Sequence, residues 1–289
     1  LMSEPGFAVY REGPIAEIVL CRPQAANSLT EDFWIRFPEA IRELDQAGSV
    51  RAAIIRGEGA NFSSGIDVEL LERFLGGDDD VEPGRFRASL RLMLLRMHEV
   101  MSAMEQARFP IIAAIHGTCI GGALDLVCAC DLRLAATGAY FSIQEIQMGM
   151  VADLGVLQRL SALIPPGIVR ELAMTGRRMP AEEAHRFGFA NAMASDADGT
   201  VAAARALADD IASKSPLAIW GTKEILNDFD RRRIEDGLRY TAAWNTGMFM
   251  PEDVQRSVAA ARKRAKASYR DLLDVDYPAV PRQRTTVKE

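Results

Sequence analysis

One stretch limits the possible folds more than any other. An apolar run, Ile111 to Ile115, passes through His116-Gly117 to the pair Gly121-Gly122 and directly into Ala123 to Ala129, which has the composition of a buried helix. A strand that turns through glycines into a helix leaves backbone N–H groups free at the positive helix end. Such an end suits a developing anion as well as a phosphate. Three carboxylates follow at intervals of twenty and eight residues: Asp125, Glu145 and Asp153. Each lies in mostly apolar sequence, where an unpaired carboxylate is costly.

The rest of the chain supplies matching pieces. Ile15 to Leu20 is predicted as a strand, Thr30 to Gln46 as a helix, and Arg51 to Arg56 as a buried strand ended by Gly57-Glu58-Gly59. A second glycine-bearing loop, Asn61 to Val68, then runs through Gly65-Ile66 into another helix start. Strand-helix alternation with short connections predicts an α/β topology. Phe86, Leu90, Met93, Leu94, Met97, Met101 and Met104 recur at three- and four-residue steps, so a long amphipathic helix is predicted there. His98 falls off that stripe and is expected at the surface. His116 and His185 are expected to be structural. Gly76 to Gly84, rich in Gly and Asp, is expected to be a solvated loop. Leu132 to Ala135 and Tyr140 to Ile143 are predicted as strands. Beyond about Ala197 the sequence is almost entirely helical, with segments at Thr200 to Ser213, Pro216 to Phe229, Ile234 to Trp244 and Glu252 to Ala267.

Composition narrows the function. The chain has 289 residues and a net charge of −6, which argues against a nucleic-acid module. No apolar run reaches the ~18 residues of a membrane span. Cys21, Cys119, Cys128 and Cys130 sit in apolar segments, as reduced core thiols do, and no metal is expected. Reduced thiols, a short polar N-terminal segment and a C-terminus that is not a peroxisomal address lead to the expectation of a cytoplasmic protein. P-loop, GxGxxG, HExxH and Gly-x-Ser-x-Gly patterns are all missing from the sequence.

Two glycine loops that converge would grip one carbonyl oxygen between two N–H groups. That grip stabilises an enolate as it forms and makes the neighbouring C–H more acidic. Carboxylates of split pKa then move the proton. Spacing alone leaves a second reading open, with Asp125 a core polar residue and Glu145 and Asp153 surface acids.

At these residues the chain resembles the crotonase (enoyl-CoA hydratase/isomerase) superfamily, across roughly Phe7 to Ala267. Phe62-Ser63-Ser64-Gly65-Ile66-Asp67 is similar to that family's first oxyanion loop, and Ile115-His116-Gly117 to Gly121-Gly122 to the second. The resemblance implies an α/β fold with a crotonase-like ββα spiral core, placed at residues 1–196. A helical trimerisation region follows at residues 197–289, giving a trimer or a dimer of trimers. It implies an oxyanion hole from the N–H groups of Ile66 and Gly122. It implies an acyl-CoA substrate held by Gln24, Ala25, Ala26, Ser64, Gly65, Asp67 and Gly121. No cofactor is implied beyond the CoA of the substrate itself, and no nucleic acid or membrane partner.

Within the superfamily the acids Asp125, Glu145 and Asp153, with their flanks, resemble the dienoyl-CoA isomerase branch. Typical hydratases carry Glu at position 125 and glycine at position 153. The function implied is conversion of a 3,5-dienoyl-CoA to a 2,4-dienoyl-CoA, with Glu145 the base at C2, Asp153 the acid at C6 and Asp125 holding the pair. Glu145 is favoured at C2 because its counterpart in hydratases works beside C2, and the sequence does not fix the order of Glu145 and Asp153. An enoyl-CoA hydratase is the alternative, and a non-catalytic acyl-CoA-binding or scaffold protein of the same fold is a further one.

Overall fold

The computed structural model describes residues 6–75, 82–248 and 251–270. Most of the Gly76 to Gly84 stretch, Phe249 and the polar tail from 271 lie outside the described residues. The chain opens with a hairpin, β1 (Phe7–Glu12) and β2 (Ile15–Leu20), and continues through α1 (Glu31–Gln46), β3 (Ala52–Gly57), α2 (Val68–Leu75) and α3 (Pro83–Gln106). Next come β4 (Ile111–Ile115), β5 (Thr118–Ile120), α4 (Gly122–Cys128), β6 (Leu132–Ala136) and β7 (Tyr140–Ser142). Then follow α5 (Val156–Leu163), α6 (Pro166–Thr175), β8 (Met179–Pro180), α7 (Ala181–Arg186) and β9 (Ala192–Ala194). Three helices close the chain: α8 (Ala197–Ala212), α9 (Pro216–Met248) and α10 (Pro251–Arg262).

Six strands form one sheet in the order β1-β2-β3-β4-β6-β9, parallel except for the β1–β2 hairpin. A smaller sheet has the order β5-β7-β8. The pairs β4–β5 and β6–β7 each carry the chain from the large sheet to the small one and then into a helix. This is the ββα turn of a spiral, as the family resemblance implies.

The central strands are continuous apolar runs because both faces of the sheet are covered. Ile55, Ala113 and Ile115 face the main core with Phe33, Phe37 and Met101, while Ile54, Ile112, Ala114 and Leu134 face Ala204 and Ala208 of α8. The compositional shift near Ala197 therefore marks a rise in helix content, and the first helix after it still packs on the sheet.

Three sequence expectations change. Pro216 to Trp244 is one helix, not two, because Asp230-Arg231-Arg232-Arg233 contains no breaker and carries good helix formers. The last helix ends at Arg262 rather than Ala267. His98 is buried, at 5% exposure, because α3 is covered by α1 on one side and α9 on another and so buries more than one stripe.

Candidate active site

The two glycine loops meet, and backbone geometry shows how closely. Gly65 has φ +85°, a conformation that only glycine adopts without strain, and a Cβ placed there would stand 2.6 Å from the Ile120 carbonyl oxygen and 3.0 Å from the Gly122 nitrogen. Ser63 pairs with Cys119, and Leu29 with Ile66, in single parallel bridges. Around this crossing nearly every amide is committed. The Gly65 N–H donates to Ser63 Oγ, the Asp67 N–H to the Leu29 carbonyl and the Gly121 N–H to the Ser142 carbonyl. Leu124 and Asp125 donate back to Gly121 O. Among the described residues the N–H groups of Ile66 and Gly122 have no such backbone partner. Gly122 opens α4, where helix geometry leaves its amide free. These are the two donors expected for an oxyanion hole.

The three acids come together from three segments. Asp125, one turn into α4, is wholly buried, and its Oδ1 accepts the Val156 N–H at 2.6 Å. Burial first, and the Glu145 charge second, hold its carboxyl well above the usual carboxylate range. Glu145 begins a short 3-10 turn, Glu145–Met148, and its Oε1 would lie 3.5 Å from a Cβ on Gly121, beside the free amides. Burial, with the Asp153 charge adding to it, pushes Glu145 up to about 7. Asp125 Oδ2 and Glu145 Oε2 are buried without a partner. Asp153 is pushed up to about 6 by burial, partly offset by a hydrogen bond from Asn245 of α9 at 2.6 Å. His98 Nε2 reaches the Asp153 carbonyl at 2.6 Å. Behind the cluster, buried Arg159 makes a two-pronged ion pair with Glu105 and also donates to the Leu154 carbonyl.

The expected ligand-contact residues divide. Gln24 and Ala25 lie in a short 3-10 turn, Pro23–Ala25, with Gln24 exposed and Ala25 and Ala26 half-buried. Ser64 N–H donates to the Ala26 carbonyl, which ties this turn to the first oxyanion loop. Ser64, Gly65 and Gly121 thus use their amides internally and shape the crossing. The Asp67 carboxylate accepts from Arg22 Nη1 at 2.8 Å and Ser28 Oγ at 2.7 Å, so it clamps the two loops together. Burial alone would raise its pKa, but these donors hold it below the usual value. Sequence reasoning missed Asn245 and His98. No spacing pattern links them to Asp153, which is 92 and 55 residues away along the chain.

A separate cavity of about 450 Å³ opens under α9 at the other end of α4, lined by Cys128, Arg133, Lys223 and Leu238 among others. None of the three acids lines it. The Lys223 ammonium there is already held by the Met104 and Phe109 carbonyls and by Asp131.

The chain is similar to known proteins. Residues 11–271 match the family described as Enoyl-CoA hydratase/isomerase. The peroxisomal Delta(3,5)-Delta(2,4)-dienoyl-CoA isomerase of Arabidopsis thaliana is 37% identical over 262 residues, 90% of this chain and 94% of that one. The mitochondrial enzyme of the same name from Dictyostelium discoideum is 36% identical over 246 residues, 85% of this chain and 84% of that one. Among solved structures, an enoyl-CoA hydratase/isomerase from Mycobacterium paratuberculosis superposes with a TM-score of 0.79 at 28% identity, covering 89% of this chain and 98% of its own.

Proposed function

Since the chain belongs to the enoyl-CoA hydratase/isomerase family, we propose that it isomerises a 3,5-dienoyl-CoA to the 2,4-dienoyl-CoA. The observation that carries this reading is the third acid. Asp153 joins the fully buried Asp125 and the half-buried Glu145 in one cluster, itself half-buried. Relatives that carry that isomerase name support it. The N–H groups of Ile66 and Gly122 receive the thioester oxygen as it becomes an enolate. Gln24, Ala25 and Ala26 take the CoA end, and Ser64, Gly65 and Gly121 shape the thioester channel.

C2 is bonded to the carbonyl carbon, and Glu145 Oε1 lies beside the Gly121-Gly122 turn, which supports Glu145 as the base there. It removes a C2 proton, the electrons delocalise through the dienolate to C6, and Asp153 delivers a proton to C6. The double bonds then lie at C2 and C4. Asp125, its pKa raised by burial and by the Glu145 charge, is held through Oδ1 by the Val156 N–H and leaves Oδ2 without a partner beside the other acids. The reaction calls on no metal and no redox cofactor.

The test is turnover of a synthetic 3,5-dienoyl-CoA, followed by the conjugated product, against a 2-enoyl-CoA as hydratase substrate. The productive pair carries one proton. Below about 6 the pair carries two protons and the base is lost; above about 7 it carries none and the acid is lost. In between, the one proton rests mostly on Glu145, so the form with Glu145 ionised and Asp153 protonated is the minor one, and the titration order by itself favours the reverse assignment. Isomerisation is therefore expected to be fastest between those values and to fall on both sides. Hydration of the 2-enoyl-CoA without dienoyl turnover would replace this reading by the hydratase.

The assembly we propose is a trimer or a dimer of trimers. Ile225, Phe229, Tyr240, Trp244 and Met248 of α9 are exposed, Phe229 at 81%. Such an apolar stripe is large for a free monomer surface. Light scattering at micromolar concentration is expected to give three or six times the chain mass, and a clean monomer would refute it. The reduced thiols fit a cytoplasmic location, but the two relatives above are named as peroxisomal and mitochondrial enzymes and lend it no support.

A further inference from the structure

We infer that Asn245 is a positioning residue that decides which oxygen of Asp153 handles the proton. This deepens the isomerase reading and rests on it. Asn245 lies near the end of α9, only 7% exposed, with its side chain turned into the acid cluster. Its Nδ2 is 3.1 Å from the Val151 carbonyl and 2.6 Å from Asp153 Oδ2. A backbone carbonyl only accepts, so the amide must present its NH₂ group to Val151. The amide orientation is thereby fixed, and the second N–H points at Asp153 Oδ2. A carboxyl facing an N–H donor turns its carbonyl oxygen to that donor and carries its proton on the other oxygen. Oδ1 is then the oxygen that gives or takes a proton.

The Asp153 main chain is held independently, by His98 Nε2 on its carbonyl. A carboxyl pinned at its backbone and at one oxygen has one oxygen left for chemistry and little freedom to swing. The charged and titratable groups around it are Glu145, Asp125, the Arg159–Glu105 pair and His98, whose pKa burial lowers. None of these donates to the Asp153 carboxylate; among the described residues Asn245 is its side-chain donor, and the Asp153 backbone N–H is the other donor to it.

Asn245→Leu removes the donor at similar volume. Isomerisation is expected to fall on the order of 10–10²-fold, the usual effect of a misplaced reacting group, with KM changed little. Exchange of the C2 proton with deuterated solvent is expected to survive, since Glu145 performs it. By carboxyl-carbon NMR, the Asp153 titration is expected to move to higher pH. Asn245→Asp keeps the shape and can donate only when protonated, so its deficit is expected to shrink from pH 8 to pH 6. A purely structural role would not give that pattern. A folded Asn245→Leu with wild-type rate and an unmoved Asp153 titration would overturn the inference. So would an Asn245→Asp deficit that is equal at both pH values, and this decides the matter if the leucine variant fails to fold. A wild-type protein inert toward the dienoyl substrate sinks the isomerase reading instead. The NMR titration of wild type against variant then still judges the hydrogen bond.

Discussion

Asp153→Asn is expected to slow isomerisation of a 3,5-dienoyl-CoA by roughly 10²–10⁴-fold, the usual contribution of a general acid or base. The substitution keeps the size of the side chain and a carbonyl oxygen able to accept from Asn245, but it removes the exchangeable proton. The dienolate forms at C2 and must be protonated several bonds away at C6. Glu145, lodged beside the Gly121-Gly122 turn, serves the near end. Hence solvent exchange at C2 should persist in Asp153→Asn while product formation falls, and in Glu145→Gln both should fail. The converse, exchange lost with Asp153→Asn and kept with Glu145→Gln, would leave the reaction in place but exchange the two roles. A wild-type isomerisation rate in Asp153→Asn would remove the main support for an isomerase.

Gly122→Pro is expected to cost at least 10²–10³-fold in kcat/KM, the usual penalty for losing one oxyanion donor. The variant is informative because the helix should tolerate it. Gly122 is the first residue of α4, the position at which proline is most readily accommodated, since its amide has no helical partner there. A Cβ at Gly122 stands 3.2 Å from Ile66 Cγ1 and 3.3 Å from the Trp34 ring, so those side chains must yield by a few tenths of an ångström. Circular dichroism and a thermal melt establish that the fold survives. A folded variant with near-normal turnover would show that the Gly122 N–H is not the anion donor.

The sequence made some parts of this site visible and hid others for physical reasons. Gly65 and Gly121 are required by positive φ, Gly65 also by close backbone approach, and Gly122 stands out as the second of a glycine pair at a strand-to-helix turn. Asp125, Glu145 and Asp153 stand out because carboxylates in apolar sequence demand an explanation. The buried strands β2, β3 and β4 are plain from their apolar runs. β1 is hidden because Val9 and Tyr10 are exposed on an edge strand, and β5 because three residues show no period. The Arg22–Asp67 clamp joins residues 45 positions apart, and a charged pair of that separation has no local signature. The same holds for Asn245, whose sequence neighbourhood reads only as a helix.

The unbroken length of α9 sets a condition of a different kind. Lys223 anchors one part of it to the Met104 and Phe109 carbonyls, and Asn245 anchors another part to Asp153. These anchors are twenty-two residues apart by number. At ~100° and ~1.5 Å per residue that is close to six whole turns and about 33 Å, so both anchors face the same side. The helix acts as a ruler, and its phase is what the site depends on. Many exchanges of residue type between Lys223 and Asn245 leave that phase intact. Insertion or loss of a single residue turns Asn245 away from the acid by about 100°. Over this segment the constraint falls on how many residues there are more than on which ones they are.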